Sequence, residues 1–307
     1  MTYSYWVYGL RVCSNIEISA LPVLPKLPRS PDGLQTNQQY DVTITFDPTI
    51  ADFDAYNCPH PIYIDLTEHQ CVMFDRRYGL FILTEGRDVV IHPSESQNLD
   101  QLRLYILGTV LTVLLYQRGI LALHGSAMAI GDAVVGVIAP SGTGKSSTAA
   151  ALYNKGYRLL SDDAVSIVFQ NGQYFVYPGY ARLKVSESVA ECLNYSDEHI
   201  IARHPDCGEV SFDARHQFVG DALPLKQIYV LQSGDALDIQ PCSQRDSVFA
   251  MMLNSLPTMW MKHHSPNQFR QCTEFAKAVP FYTLTRSQDL ADLPALATLL
   301  EQHFLNS

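Results

Sequence analysis

Basic charge is scarce in this chain. Its 307 residues hold 21 lysines and arginines against 31 aspartates and glutamates, a formal net charge of -10. That balance argues against nucleic acid or an anionic membrane as the main partner, while leaving room for a local basic patch around an anionic ligand. Cysteine is sparse and unpatterned. The seven cysteines, at positions 13, 58, 71, 192, 207, 242 and 272, form no Cys-x-x-Cys pair and keep no regular spacing. This argues against a disulfide framework and predicts free thiols in a reducing compartment. Long apolar runs are missing too. The longest, residues 102–116, is broken by Arg103, Gly108 and two threonines, which predicts a buried helix too short to span a bilayer. The start, Met1-Thr-Tyr-Ser-Tyr-Trp6, lacks the basic region and apolar core of a secretory signal, so a cytoplasmic location is expected. No internal repeat is visible. What is abundant is apolar residue: 47% hydrophobic against 17% charged predicts a folded, well-filled core. At this length the chain makes one large domain or two ordinary ones.

Two compositions follow one another along the chain. Residues 1–96 predict a β-rich accessory domain. An aromatic run at 3–10 is followed by the proline-rich stretch 21–28 and a turn at Pro31-Asp-Gly33. Val42-Thr-Ile-Thr-Phe46 then alternates at period two, and further short strands are predicted at 62–66, 71–74, 79–83 and 89–91. Residues 97–307 predict a domain of α/β type. A helix over 99–118 ends at Gly119. A strand at 120–123 leads into His124-Gly-Ser-Ala-Met-Ala-Ile130, and a turn at Gly131-Asp132 leads into the apolar run Ala133-Val-Val-Gly-Val-Ile138. Asn171-Gly172 predicts a hairpin between 164–169 and 173–177. A helix is predicted over 186–193, a mobile loop over the polar segment 194–222, and a strand over 225–231. The last third reads as mostly helical, at 247–256, 268–278 and 293–304.

The whole pattern is organised around Ala139-Pro-Ser-Gly-Thr-Gly-Lys-Ser-Ser147. Strand before and helix after make this the GxxxxGK[ST] phosphate-binding loop, with Ala139 at the position usually held by glycine. The residue types answer to the chemistry. Gly142 and Gly144 let backbone N–H groups turn toward phosphate oxygens. The helix beginning near Lys145 adds the positive end of its dipole. Lys145 supplies a point charge, and Ser146 a hydroxyl suited to Mg²⁺. Ser141, Gly142, Thr143, Gly144, Lys145, Ser146 and Ser147 are therefore the expected nucleotide-binding residues.

Asp162-Asp163 follows soon after that helix, at the end of a short strand. Phosphoryl transfer needs one carboxylate for Mg²⁺ and one to accept the proton of the attacking hydroxyl. His124, at the head of the strand pair, is placed to orient or share a proton with a carboxylate. Arg182 is a candidate phosphate contact, with a surface salt bridge as the alternative. Arg203 and Arg215 are weaker candidates.

His124-Gly, the Gly-Lys-Ser loop and Lys155-Gly-Tyr-Arg-Leu-Leu-Ser-Asp-Asp-Ala-Val165 together resemble the catalytic core of HPr kinase/phosphorylase, over roughly residues 120–185. The chain as a whole looks more like the HPr-kinase-like serine kinases of peptide-modification clusters, of which the lasso-peptide precursor kinases are an example. The Pro178-Gly-Tyr-Ala-Arg-Leu183 run and Pro224-Leu-Lys-Gln-Ile-Tyr-Val-Leu231 add to that likeness. The resemblance implies a P-loop kinase core of the HPr kinase/phosphoenolpyruvate carboxykinase type. It implies ATP and Mg²⁺ as cofactors and a serine on a peptide or small protein as acceptor. Carried over by position, Asp162 matches the general base, His124 its partner, Lys145 the phosphate lysine, and Ser146 with Asp163 the metal ligands. The family's phosphorolysis segment, its Arg-Pro-Gly-Arg-Asn-like signature and its N-terminal domain have no counterpart. The likeness therefore does not extend to HPr as acceptor or to dephosphorylation. The family's hexamers leave a homo-oligomer open. Two other readings of the same site are a small-molecule kinase and a non-catalytic nucleotide-binding regulator.

Overall fold

The computed structural model describes residues 1–19, 21, 40–49, 62–94, 98–204, 208–256 and 266–307. The proline-rich stretch after residue 21 and the turn at 31–33 lie outside them. The chain divides into two compact units, Met1–Ile120 and Leu121–Ser307.

The first unit is built on a seven-stranded sheet. Its strands are β1 (Tyr3–Val7), β2 (Leu10–Ser14), β3 (Val42–Phe46), β4 (Ile62–Leu66), β5 (Gln70–Asp75), β6 (Gly79–Thr84) and β7 (Asp88–Pro93), in the order β1-β2-β3-β7-β6-β5-β4. The aromatic run at 3–10 forms the first arm and turn of a hairpin. Tyr8 and Gly9 both take positive φ, 54° and 78°, which reverses the chain in two residues. One face of the sheet carries the helical run α1 (Leu99–Tyr105), a π-type turn at Ile106–Val110, and α2 (Leu111–Gln117). The Asn98 side chain caps its start by accepting from the Asp100 N–H at 2.9 Å. Tyr105 packs its ring on Tyr78 and Phe81, and Gln117 accepts from the Gly86 N–H. These contacts hold the 99–117 helix in the first unit, whereas the sequence reading grouped it with the second. At 19 residues it is long and apolar enough to cross a membrane, yet about half of it is buried in the protein.

The second unit is an α/β arrangement around a mixed nine-stranded sheet. Its spine is β8 (Leu121–Ile130), one continuous strand, which turns at Gly131-Asp132 into β9 (Ala133–Ile138). After α3 (Lys145–Asn154) come β10 (Arg158–Ser161), β11 (Ala164–Gln170) and β12 (Gln173–Tyr177). Asn171 and Gly172 make the predicted hairpin turn, both at positive φ. β13 (Arg182–Ser186) leads into α4 (Glu187–Cys192). β14 (Ile200–His204) and β15 (Glu209–Asp213) then join β13 in a separate three-stranded sheet ordered β13-β15-β14. The segment expected as a mobile loop thus contains two strands. Its alternation is short and broken by polar residues, so the signal was weak, but pairing with β13 supplies the partners that a polar strand needs.

The remaining elements are β16 (Leu223–Ser233), β17 (Asp238–Pro241), α5 (Gln244–Asn254), β18 (Ser255–Leu256), α6 (Pro266–Ala278), β19 (Phe281–Arg286) and α7 (Leu293–Asn306). β9, β16 and β19 lie side by side and parallel. The other pairings in this sheet are antiparallel. Alternation along β8 and β9 then builds two cores. Met128, Ile130, Val135 and Val137 face α3, α7 and the small sheet. Ala127, Ala129, Val134 and Ile138 face α5 and α6.

Candidate functional site

The predicted strand, loop and helix are all present. β9 is an apolar strand buried on both faces and ends at Ile138. Residues 139–144 turn the chain, and α3 starts at Lys145. The turn demands glycine at two points. Gly142 has φ 81° and Gly144 has φ 106°, conformations that a side chain strains. Gly144 is also the residue capping α3, and no side chain caps that end. The first-turn N–H groups have no acceptors inside the helix, so they are available to a ligand. α3 is held firmly at this point, with Thr148, Ala149, Ala150 and Leu152 fully buried.

Lys145 is buried, 6% exposed, and its ammonium donates to the Pro140 carbonyl at 3.1 Å. Burial lowers its pKa, while Asp162 and Asp163 act in the opposite sense. Ser146 Oγ donates to Asp162 Oδ1 at 3.1 Å. The same carboxylate accepts from Ser126 Oγ at 2.6 Å and from the Lys184 backbone N–H at 3.2 Å. Asp162 is 3% exposed. Burial first, and then the neighbouring Asp163 charge, push its pKa up to about 6 against those three hydrogen bonds.

Asp163 departs from its neighbour because the backbone bends there. β10 and β11 both pair antiparallel with β8, and Asp162-Asp163 is the break between them. Asp163 takes φ 75°. Its side chain is 30% exposed, and Arg182 Nη2 lies 3.9 Å from its carboxylate. Its carbonyl accepts from the Gly125 N–H at 3.3 Å and faces His124 Nδ1 at 3.2 Å. A carbonyl only accepts, so Nδ1 carries the proton and Nε2 keeps its lone pair. Burial, followed by the Lys145 charge, lowers the His124 pKa and keeps the ring neutral. His124 therefore meets the acidic pair through a main-chain carbonyl, where a carboxylate contact was expected.

Every site residue picked from the sequence falls in the second unit. Lys145, Ser146, Asp162, Asp163, His124 and Arg182 converge, and Ser141, Gly142, Thr143, Gly144 and Ser147 belong to the loop and first turn. Ser146, expected with Asp163 as a metal ligand, hydrogen-bonds Asp162, which the bend at Asp163 leaves buried while Asp163 is partly exposed. Arg182 is 7% exposed, sits over the Tyr180 ring, and has Nη1 without a hydrogen-bond partner. A surface salt bridge does not describe it. Arg203 instead pairs with Glu187 and Asp197, and Arg215 with Asp213.

Two residues were missed. Ser126 looks like an ordinary small residue in a strand, and only cross-strand placement reveals it. Lys184 pairs with Glu209 at 3.0 Å. Burial opposes its charge, yet Asp163 and Glu209 prevail and raise its pKa. Among the described residues no cluster of three His, Cys, Asp or Glu could hold a metal by itself. A hydroxyl beside a carboxylate instead suits an ion that takes most of its oxygens from phosphate and water. An uncapped helix start, a buried lysine and a buried guanidinium beside Asp163 fit an anionic ligand, and Ser146 with Asp162 fits a divalent ion.

No protein-family model matches the chain. Comparison with curated proteins gives no match. Among solved structures, the Hpr(Ser) kinase/phosphatase from Coxiella burnetii matches over 60% of this chain and 97% of that one, at 12% identity and a TM-score of 0.33. A superposition that loose transfers no residue and no role.

Proposed function

We propose that this protein is a Mg²⁺- and ATP-dependent kinase that phosphorylates a serine hydroxyl on a peptide or small protein, such as a ribosomally made precursor of the lasso-peptide kind. The observation that carries the reading is the Ser146–Asp162 hydrogen bond. It ties the first turn of a glycine-turned helix start to a buried carboxylate, beside a second carboxylate that stays accessible. The first-turn N–H groups of α3 bind phosphate oxygens, and Lys145 exchanges the Pro140 carbonyl for one of them. Ser146 and Asp162 would hold Mg²⁺, which neutralises phosphate charge when bound.

The roles of the two aspartates are thereby exchanged relative to the expectation from sequence. Asp162 is buried and already accepts from three donors. Asp163 is exposed enough to receive the proton of the incoming hydroxyl. His124 holds the Asp163 carbonyl and so fixes the bend that aims its carboxylate. Arg182, 3.9 Å from Asp163, sets that carboxylate from one side and would add positive charge near the phosphoryl group being transferred.

Intact-mass spectrometry tests this directly. Peptides encoded beside the gene and a serine-bearing HPr protein are incubated with the enzyme and Mg²⁺-ATP. A phosphate added to a peptide serine, and lost with Lys145→Ala and with Asp163→Asn, supports the reading. Tight ATP binding with no transfer to any acceptor would sink it in favour of a regulator.

A further inference from the structure

The α3 loop has a second buried cation that arrives from far along the chain. Val230 of β16 is paired with Ile138 of β9 on one side and with Thr283 of β19 on the other. The parallel strands β9 and β19 therefore reach the same edge of the sheet together. The loop begins just after Ile138, and Arg286 ends β19 on that edge. Ligands of open α/β sheets gather at this edge, outside the carboxyl ends of parallel strands.

The Arg286 guanidinium folds against the loop itself. A Cβ built on Gly144 would stand 2.6 Å from Arg286 Nη1. Gly144 is required by its φ, and a side chain there would also have to displace the Arg286 guanidinium. Arg286 is 7% exposed. Its Nε donates to the Ser287 carbonyl at 2.8 Å, and its Nη1 has no hydrogen-bond partner. Among the described residues no carboxylate lies within ion-pair distance of it. Asp292, whose charge reaches it, is engaged by Ser287 Oγ. Keeping a guanidinium buried with an unused N–H is costly, and the same space could be filled by an uncharged chain at lower cost. The cost is recovered when an anion docks.

We infer that Arg286 is a ligand-binding residue of the α3 loop, donating its free Nη1–H to a phosphoanhydride held at Gly144 and Lys145. Two buried cations and the helix start suit at least two adjacent phosphates, so the site takes a diphosphate or triphosphate group in preference to a single phosphate. This rests on the kinase reading only for the identity of the nucleotide, not for the anion itself.

The test uses the full chain with three probes, orthophosphate, pyrophosphate and ATP, titrated calorimetrically with Mg²⁺ at several salt concentrations. Arg286→Gln should weaken pyrophosphate and ATP by about 10- to 100-fold, the usual worth of a charge-assisted hydrogen bond. Orthophosphate should weaken less, and the salt dependence of pyrophosphate binding should become shallower. Arg286→Lys should fall between. A loop merely distorted by the change would lose all three probes alike with an unaltered salt dependence, and that result overturns the inference. So does unchanged pyrophosphate affinity in a folded Arg286→Gln protein. Should that variant fail to fold, Arg286→Lys decides by the same readings, and failure of both makes Arg286 a strut and overturns the inference. If the wild type binds pyrophosphate through Arg286 but transfers nothing from ATP, the kinase reading falls and this inference stands. If the wild type is an active kinase and Arg286→Gln keeps its KM and kcat for ATP, the reverse holds.

Discussion

Asp162 and Asp163 are chemically identical and adjacent, yet one is sealed and the other open. The difference is a single backbone dihedral, φ 75° at Asp163, which breaks the alternation of a strand. The two substitutions should therefore separate in kinetics. Asp162→Asn should raise the Mg²⁺ concentration needed for half-maximal rate. Asp163→Asn should leave that requirement alone and lower kcat by about 10²- to 10⁴-fold, the range for losing a general base. Identical Mg²⁺ titrations for both variants would return the base to Asp162. Ser126 is tested at the same scale. Its hydroxyl is fully buried against Asp162, so Ser126→Ala strips one donor from a buried carboxylate. Thermal unfolding should show a loss of about 1–3 kcal/mol. The acidic pair was plain in the sequence. Which member turned inward was not, because that depends on Ser126, Ser146 and the Lys184 N–H, which meet only across strands.

At the scale of elements, the glycine-turned loop and α3 were legible because their signals are local. Strand, turn and helix follow each other within about 25 residues, and each residue type answers to a backbone need. Gly142 and Gly144 share the same local need but differ in their surroundings. Nothing lies within 4 Å of a Cβ built on Gly142, whereas one built on Gly144 meets Arg286. Gly142→Ala should cost about 1 kcal/mol of stability from φ strain alone, and Gly144→Ala should cost more and abolish phosphate binding as well. Chemical denaturation together with pyrophosphate titration checks both, and equal effects would show that Arg286 does not press on the loop. β19 shows the opposite case. Phe281-Tyr-Thr-Leu-Thr-Arg286 carries β-branched and aromatic residues, but it sits between two helices and was absorbed into a helical third. Only its parallel pairing with β16 makes it a strand, and that pairing joins residues about 50 positions apart in sequence.

At the scale of the whole molecule, all the named side chains of the site belong to the second compact unit. Expressed alone, residues 121–307 should bind ATP with undiminished affinity, measurable by calorimetry, and loss of binding in a folded 121–307 fragment would assign part of the site to the first 120 residues. The same unit contains an acid-sensitive contact away from the loop. Gln227 Nε2 donates to Tyr229 OH at 2.7 Å, and Tyr229 OH in turn shares a hydrogen bond with His303 Nδ1, also at 2.7 Å. Burial lowers the His303 pKa below its ordinary 6.5. The unfolded chain then binds a proton more readily than the folded one. This contribution to stability is whole above 6.5 and is lost as pH falls through the lowered folded value. As the pH falls below 6.5 the melting temperature of the wild type should fall relative to that of His303→Gln. An equal drop in both proteins would remove His303 from the account.

Taken by itself, the sequence determined whatever neighbouring residues can dictate: the loop, its helix, the hairpin at Asn171-Gly172, and the presence of an acidic pair. These rest on backbone conformations and short-range periodicity, which a few residues specify. The tertiary structure alone decided the partner of Ser146, the burial of Asp162, the small sheet over 182–213 and the arrival of Arg286 at Gly144. Each of these joins groups from separate strands. Their proximity follows from sheet order and register, which depend on how all the strands bury their apolar faces at once.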